Sequence, residues 1–273
     1  MNLDTPEFAT AIAQPVAPGW AALRRGAFLL DQAIGRTCEA IGATLVVAEV
    51  CILFAGVVSR YVLDSPLFWT DELANFLFLW LSMLGMVVAL RRDGHMRLTT
   101  LANWVPAQLA SWFAAVASLV VIAFVLEVLL PAAQYLDQER YVELISLQIS
   151  DGYRVVAIVV GISLAAVISL LRLLETTTAR SFALALATVA GIAALLWICQ
   201  PLLLAMGFGS LIVFFVVIVA VCVGIGVPIA FAFGIATMSY LGLTSTMPLS
   251  VVVNRMDEGM SRSEEHTSEL QSQ

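Results

Sequence analysis

The polar residues that could carry chemistry are concentrated in the second quarter of the chain, around one long apolar run. Trp69 precedes a pair of carboxylates, Asp71 and Glu72, and the tandem cations Arg91 and Arg92 follow the run. The helix dipole stabilises carboxylates at the start of a helix and cations at its end, and tryptophan is enriched at the depth of the lipid headgroups. The pattern therefore predicts a membrane-spanning helix with charged ends rather than a catalytic centre.

Enzyme chemistry is not indicated elsewhere in the sequence. No GxSxG, HExxH or Walker A string occurs. The two histidines, His95 and His266, are too few for a histidine-based metal cluster, and His266 lies in a tail that we set aside below. The four cysteines have no CxxC spacing, which predicts neither a metal site nor a disulfide framework. We therefore expect no enzymatic activity, no metal site and no cofactor.

The composition indicates a protein that folds in lipid. Of the 273 residues, 61% are hydrophobic and only 12% are charged, about half of what soluble domains carry. The net charge of −7 leaves no basic stripe for nucleic-acid phosphates. We predict an all-α integral membrane protein with about seven transmembrane helices, each of roughly the 20 residues that a bilayer requires. The predicted spans are Ile41–Ser59, Leu73–Leu90, Leu109–Leu130, Val155–Leu174, Phe182–Leu204, Ser210–Val227 and Ile229–Leu243.

Two segments leave alternatives open. The last span, Ile229–Leu243, is short and follows Gly226-Val227-Pro228, so a re-entrant or tilted segment fits it as well as a full crossing. Ahead of the first span, apolar residues recur at helical spacing beside arginines. This predicts an amphipathic helix in the membrane surface, with a disordered start up to Gly19 as the alternative.

The distribution of arginines predicts the orientation. If the N-terminus is inside, eight arginines lie near the inner ends of the spans and three near the outer ends, which is the bias of membrane proteins. The N-terminus is therefore predicted to be cytoplasmic. The acidic loop Pro131–Arg154 and the shorter loop Arg60–Thr70 then face outward, where an external partner would meet them.

An ordered set of nine residues spans the stretch between the first and third predicted helices: Arg60, Tyr61, Pro66, Trp69, Glu72, Trp80, Gly85, His95 and Arg97. In this order and spacing they resemble the small membrane subunit of TRAP transporters (tripartite ATP-independent periplasmic transporters), the DctQ family. The resemblance covers roughly Gly26–Leu174, with four spans and an internal N-terminus, as that family has.

A second string, Gly-Val-Pro-Ile-Ala-Phe-Ala-Phe-Gly, is marked by Gly226, Pro228 and Gly234. It resembles the start of the large TRAP subunit, the DctM family; a plain helix break is the alternative. Phe182–Leu204 would then be the extra helix of fused subunits, because the small subunit ends inside and the large one begins outside. The expected organisation is 1–25 cytoplasmic segment, 26–177 DctQ-like four-helix domain, 178–206 linking helix, 207–261 start of the DctM-like domain and 262–273 sequencing-adapter artefact.

The artefact interpretation rests on the string Arg-Ser-Glu-Glu-His-Thr-Ser-Glu-Leu-Gln-Ser at Arg262–Ser272. It resembles translated adapter sequence and follows the apolar domain abruptly; an ordinary polar tail is the alternative. Without this tail His95 is the sole histidine. We therefore leave the tail out of the functional reasoning.

The resemblance implies a permease component of a secondary transporter in the bacterial inner membrane. It implies import of an organic acid, typically a carboxylate, coupled to a sodium gradient. The implied partners are a periplasmic substrate-binding protein, the remainder of the large subunit and membrane lipid. Substrate and sodium sites would lie in the large subunit, so the residues here are expected to form scaffold and docking surface. The implied docking residues are Arg60, Asp64, Trp69, Asp71, Glu72 and the acidic loop Asp137–Asp151, and the implied cytoplasmic anchors are Arg91, Arg92, His95 and Arg97.

One carboxylate, Glu49, lies in the middle of the first predicted span, where an unpaired charge costs several kcal/mol. It is either an ion-pathway residue or a neutral or hydrogen-bonded side chain facing the large subunit. Two alternative functions remain for the whole chain. A membrane anchor subunit of a respiratory oxidoreductase shares the size and helix count but usually needs paired histidines for haem. The other alternative is a purely structural membrane protein.

Overall fold

The computed structural model describes residues 18–92, 107–176 and 179–269, and these residues form helices without a β-strand. The helices are α1 (Pro18–Tyr61), α2 (Trp69–Arg92), α3 (Ala107–Glu139), α4 (Gly152–Thr176), α5 (Ala179–Ile198), α6 (Gln200–Ala205), α7 (Gly207–Ile225), α8 (Ile229–Thr244) and α9 (Ser250–Glu269).

Within the described residues, six helices are long and apolar enough to cross a membrane: α1 to α5 and α7. The seventh predicted span is present as α8, an apolar helix of 16 residues. The prediction of an all-α integral membrane protein is therefore confirmed.

Helices α1 to α4 form a bundle in which α2 and α4 are central. Helix α4 packs on α1, α2 and α3, and α2 packs on α1 and α4. The interior is made of aliphatic side chains, with Val155 and Ile158 of α4 against Leu79 and Met83 of α2. Such a close-packed interior fixes the relative depth of the helices, and with it the relative position of the loops at their ends.

Helix α1 corrects the expectation of a separate amphipathic helix ahead of the first span. It runs unbroken from Pro18 to Tyr61 for 44 residues, about 66 Å at the rise of an α-helix. The buried residues Gly35, Cys38 and Glu49 share one stripe that faces the bundle, whereas most other side chains of α1 are exposed. Because no proline follows Pro18 in this stretch and the buried stripe keeps the helix's own period, nothing ends the helix before the first span.

Helix α3 corrects the predicted boundary at Pro131. The helix continues through this proline to Glu139. A proline inside a helix removes one backbone hydrogen bond, but Ala132 and Tyr135, which follow it, are buried in the main core. Tertiary packing thus offsets the local cost, and the loop after α3 begins nine residues later than predicted.

The predicted span Phe182–Leu204 is also divided. Helix α5 ends at Ile198, and α6 starts at Gln200 with Pro201 in its first turn. Proline lacks the amide proton that would continue α5 and fits the first turn of a new helix. The Gln200 amide donates a 3.0 Å hydrogen bond to the carbonyl of Leu243, near the end of α8.

Helices α7 and α8 are joined by the turn that the sequence marked with glycine and proline. Gly226 ends α7 in the left-handed conformation (φ 98°), which glycine adopts without steric cost, and Pro228 precedes α8. Helix α8 then lies against α3, where Phe231 meets Phe124 edge to face at 5.8 Å between ring centroids. A Cβ atom on Gly234 would lie 2.6 Å from the Phe124 ring, so this glycine permits the close approach.

The bundle has two ends that carry different loops. We call the Trp69 end the one where α1 and α3 finish and α2 and α4 begin, and the Arg92 end the opposite one. Helix α9 packs on α3 and α2. By its contact with Tyr135, it reaches the Trp69 end.

Candidate functional site

Two loops at the Trp69 end form the surface that the sequence singled out for docking. Loop L1 (residues 62–68) joins α1 to α2, and loop L2 (residues 140–151) joins α3 to α4. In L1, the buried Thr70 hydroxyl donates a 2.7 Å hydrogen bond to the Leu67 carbonyl at the start of α2. Asp64 takes a left-handed conformation (φ 47°) that aspartate tolerates in turns. Pro66 is exposed in the same loop.

Loop L2 is a short hairpin with its own backbone hydrogen bonds. The Leu144 amide donates to the Ile149 carbonyl at 2.9 Å, and the Asp151 amide donates to the Val142 carbonyl at 2.8 Å. The Ser150 hydroxyl adds a 2.7 Å bond to the Arg140 carbonyl. These bonds give the loop a defined shape although it has no regular strand.

Glu72 holds this hairpin against the bundle. Its Oε2 atom accepts hydrogen bonds from the backbone amides of Ser146 and Leu147, at 2.8 and 3.0 Å. A carboxylate bound to two amides makes charge-assisted hydrogen bonds. Glu72 is therefore placed to position the tip of L2, a role that the sequence did not indicate.

The other predicted docking residues surround this contact. Arg60, the last basic residue of α1, forms an exposed ion pair with Asp71 of α2 at 3.3 Å. Trp69 is partly exposed at the start of α2, and Tyr61 is exposed at the end of α1. The structure thus brings Arg60, Tyr61, Trp69 and Asp71 to one end of the bundle.

Large apolar side chains on both loops are exposed. Ile145, at the tip of L2, is 90% exposed, and Tyr141 in the same loop stacks beneath the Arg140 guanidinium, 4.7 Å from the ring centre. Phe68 and Leu63 are exposed in L1. Apolar groups grouped at a loop end are typical of surfaces that meet a protein or a membrane.

One acidic residue of the predicted docking loop is not available to a partner. Asp151 is only 4% exposed, because both of its carboxylate oxygens accept hydrogen bonds from Arg154 at 2.6 and 2.8 Å. The expectation that the whole acidic stretch faces outward is therefore wrong for this residue. Its i,i+3 spacing to Arg154 at the start of α4 was a signal that could have indicated the pairing.

The same arginine contacts an acid 103 residues away in sequence. Arg154 donates from Nη1 to Asp257 Oδ1 at 2.6 Å and from Nη2 to Asp257 Oδ2 at 2.8 Å. The Tyr135 hydroxyl donates to Asp257 Oδ2 at 2.9 Å. Asp257 is 3% exposed. We call Tyr135, Asp151, Arg154 and Asp257 the Arg154 cluster; no local pattern in the sequence joins Asp257 to the other three residues.

A second cluster lies at the Arg92 end. Arg91 Nε contacts Asp31 Oδ2 at 2.8 Å, and Arg92 Nη2 contacts Glu39 Oε1 at 3.1 Å. Arg91 Nη1 also lies 3.8 Å from Glu39, over Gly35 of α1. We call Asp31, Glu39, Arg91 and Arg92 the Arg91 cluster. These arginines, predicted as anchors, pair with carboxylates of α1.

The remaining motif residues have distinct places. Trp80 donates from its indole nitrogen to the carbonyl of Tyr153 at 3.2 Å and so joins α2 to the start of α4. Gly85 is exposed, and a Cβ atom there would meet nothing within 4 Å, so the structure gives no steric reason for glycine. His95 and Arg97 lie outside the described residues.

Glu49 is 7% exposed and lies on the stripe of α1 that faces the bundle. Helix α1 packs on α2 and α4, so this carboxylate is covered within the four-helix bundle itself.

The described residues contain no group of three or more His, Cys, Asp or Glu side chains placed to hold a metal ion. The chemistry that the site supports is instead recognition, by ion pairs, amide-bound carboxylates and exposed apolar side chains. All of these features lie on the four-helix bundle or where later helices contact it.

Most of this bundle matches a known protein family. Residues 49–179 match the family described as tripartite ATP-independent periplasmic transporters, DctQ component. The match begins within α1 and ends at the start of α5, so it covers α2, α3 and α4 and residues 49–61 of α1. The members of this family are transporter components rather than enzymes.

Three curated relatives are similar to parts of the chain. The sialic acid TRAP transporter small permease protein SiaQ of Vibrio cholerae is 24% identical over 133 residues, 49% of this chain and 77% of that protein. The sialic acid TRAP transporter permease protein SiaT of Haemophilus influenzae is 42% identical over 73 residues, 27% of this chain and 12% of that protein. The C4-dicarboxylate TRAP transporter small permease protein DctQ of Vibrio cholerae is 30% identical over 88 residues, 32% of this chain and 38% of that protein. The chain thus spans less than half the length of two of these three relatives.

Proposed function

We propose that this chain, in which residues 49–179 form a DctQ-type domain, is a permease component of a TRAP-type secondary transporter. It works in the bacterial inner membrane, with a periplasmic substrate-binding protein, to import an organic acid. The observation that carries the proposal is that the family match, residues 49–179, overlaps one structural unit, the bundle of α1 to α4. Because the relatives are named for sialic acid and C4-dicarboxylate transport, a carboxylate is the substrate class to test first.

The residues after α4 are proposed to begin the large permease subunit. Helices α7 and α8, with the Gly226–Pro228 turn between them, pack against α3 of the bundle. The 73 residues matched in SiaT are a smaller fraction of that protein than of this chain, so SiaT is about twice as long. A small subunit joined to a large one through α5 accounts for both observations.

Within this proposal the bundle acts as scaffold and docking surface. L1 and L2 present exposed apolar side chains, and Glu72 fixes the hairpin that carries the most exposed of them, Ile145. The substrate and sodium sites are proposed to lie in the large subunit, in helices interrupted near the midplane. Sodium coupling is part of the proposal.

Uptake measurements test this function. The complete permease, reconstituted in proteoliposomes with its binding protein, should accumulate a C4-dicarboxylate or sialic acid only when a sodium gradient is imposed. Ile145→Asp should lower the initial rate about tenfold by placing a charge in the docking surface, whereas Ile145→Val should leave it unchanged. Accumulation that is independent of the binding protein, or no accumulation of any organic acid, would overturn the proposal.

A further inference from the structure

The Asp151–Arg154 pair forms a binding site from two residues that lie three positions apart in the sequence. Asp151 directly precedes α4, and its carbonyl accepts hydrogen bonds from the amides of Arg154 and Val155 at 2.9 and 3.1 Å. Its carboxylate binds Nε and Nη2 of Arg154 side by side. Because both residues lie at the N-terminal end of α4, the orientation of the guanidinium does not depend on later parts of the chain.

This orientation leaves the second edge of the guanidinium directed at a partner. Arginine presents five N–H donors in a rigid planar fork, and each edge matches the two oxygens of a carboxylate. The Nη1 and Nη2 atoms bind both oxygens of Asp257. Tyr135 of α3 adds a third donor to the same carboxylate. Three helices of the chain therefore meet at one carboxylate.

The site is buried. Each of the three charged side chains is at most about one tenth exposed, and Tyr135 is buried with them. In such surroundings an arginine and a carboxylate that lose their partner suffer the full cost of desolvation. The buried Arg154 guanidinium consequently needs a second carboxylate on its remaining edge to avoid this cost.

We propose that Tyr135, Asp151 and Arg154 form a preorganised carboxylate-binding site, and that its occupation by Asp257 docks the segment after the linking helix onto the four-helix bundle. Asp151 and Tyr135 are positioning residues; Arg154 is the binding residue. The identification of that segment as the start of the large subunit rests on the proposed function, but the site and its ligand class do not.

The contacts on either side of α8 show the direction in which this helix runs. The start of α8 contacts the middle of α3 through Phe231 and Phe124, while Asp257, beyond its end, contacts Tyr135 near the end of α3. Helix α8 therefore returns towards the Trp69 end.

Hydrogen exchange of the full chain in detergent tests the proposal. Asp257→Ala should raise the exchange rate of the backbone amides of residues 250–260 by about tenfold or more, because local opening of α9 is no longer resisted. Exchange within residues 73–90 of α2 should not change. The matched control is Glu258→Ala, which removes the neighbouring acid of α9 from an exposed 2.6 Å pair with Arg255. It should leave the exchange rate within about twofold of the wild type.

Chemical rescue then identifies the ligand class. Formate fits the space that the Asp257 carboxylate leaves, so sodium formate should slow the exchange of residues 250–260 in Asp257→Ala. Sodium chloride at the same ionic strength should have no such effect, nor should formate on the double variant Asp257→Ala, Arg154→Leu. If Asp257→Ala does not fold, Asp257→Asn tests the same loss of charge with the shape kept.

Three results would overturn the proposal: unchanged exchange of α9 in both Asp257 variants, an equal effect of Glu258→Ala, or rescue by chloride as strong as by formate. No uptake is measured, so these outcomes are independent of whether the chain belongs to a transporter. A failed uptake assay with intact formate rescue would reject the proposed function alone.

Discussion

The Arg154 cluster and the Arg91 cluster join helices at opposite ends of the same bundle. They differ in how far their side chains are exposed and in whether a lost partner can be replaced. Arg154 has 11% of its side chain exposed and binds two carboxylates, each through a pair of hydrogen bonds. Arg91 has 22% exposed and makes one close contact, with Asp31, while Glu39 lies further away and is shared with Arg92. The stability of a buried ion-pair cluster depends on every partner. In a more exposed cluster, a charge that loses its partner can pair with a neighbouring residue or with water.

The surroundings explain the difference. The Arg91 cluster lies where α1 runs past the end of α2, and there Arg92 and Glu39 are open to water. In the Arg154 cluster, α3, α4 and α9 close around the guanidinium, and the geometry of the fork has to be met within the protein. Ion pairs of similar length therefore differ in what their loss costs.

The largest effect is expected for Arg154→Lys. Lysine keeps the charge but cannot bind two carboxylates in the plane of a fork, so the free energy of unfolding should fall by about 2–3 kcal/mol. The measurement is the midpoint of SDS-induced unfolding in mixed detergent micelles. Arg91→Lys is the matched variant and should lower it by about 1 kcal/mol or less. Equal losses in the two variants would remove the distinction between the clusters.

An intermediate effect is expected for Tyr135→Phe. The ring stays in the core, but Asp257 loses the hydrogen bond from the Tyr135 hydroxyl, which should lower the free energy of unfolding by about 1–2 kcal/mol. In an Asp257→Asn background the same change should cost clearly less, because a neutral amide binds the hydroxyl more weakly. The coupling is measured by a double-mutant cycle; additive losses would show that the hydroxyl does not act through Asp257.

The smallest effect concerns Asp31 and Arg91. A double-mutant cycle of Asp31→Asn and Arg91→Gln should give a coupling energy of about 0.5–1 kcal/mol at low salt. It should fall as sodium chloride is raised, since exposed pairs are screened and buried ones much less. The corresponding cycle of Asp257→Asn and Arg154→Gln should be insensitive to salt. A coupling at Arg91 that resists salt would place that cluster in the same class as the buried one.

Much of the fold followed from the sequence because it depends on local patterns. The charged ends of α2 at Asp71 and Arg92 follow from the helix dipole, and the apolar runs give the spans. The turn at Gly226 was also predicted, since a left-handed glycine followed by proline is a local feature. The ordered motif indicated the resemblance to the DctQ family, and residues 49–179 match the model of that family.

The Arg154 cluster could not be predicted in the same way. The rule that proline ends a helix placed Tyr135 in a loop, whereas core packing keeps it in α3. Asp257 lies in a polar helix that the sequence does not join to α4, and only the assembled bundle brings it there. Glu72 was predicted as a docking residue from its place in the motif, but its bonds to L2 depend on a hairpin that lies 74 residues away.

The length of α1 has a practical consequence for distance measurements. Because Asp31 meets Arg91 at the end of α2, residues 18–30 of α1 continue past this contact in the same unbroken helix, over about 20 Å. A probe attached at Gly26 would be separated from the bundle by a fixed axial rise. Fluorescence or spin-label distances from that residue would therefore report the tilt of the bundle in the membrane, without added spread from motion of a flexible linker.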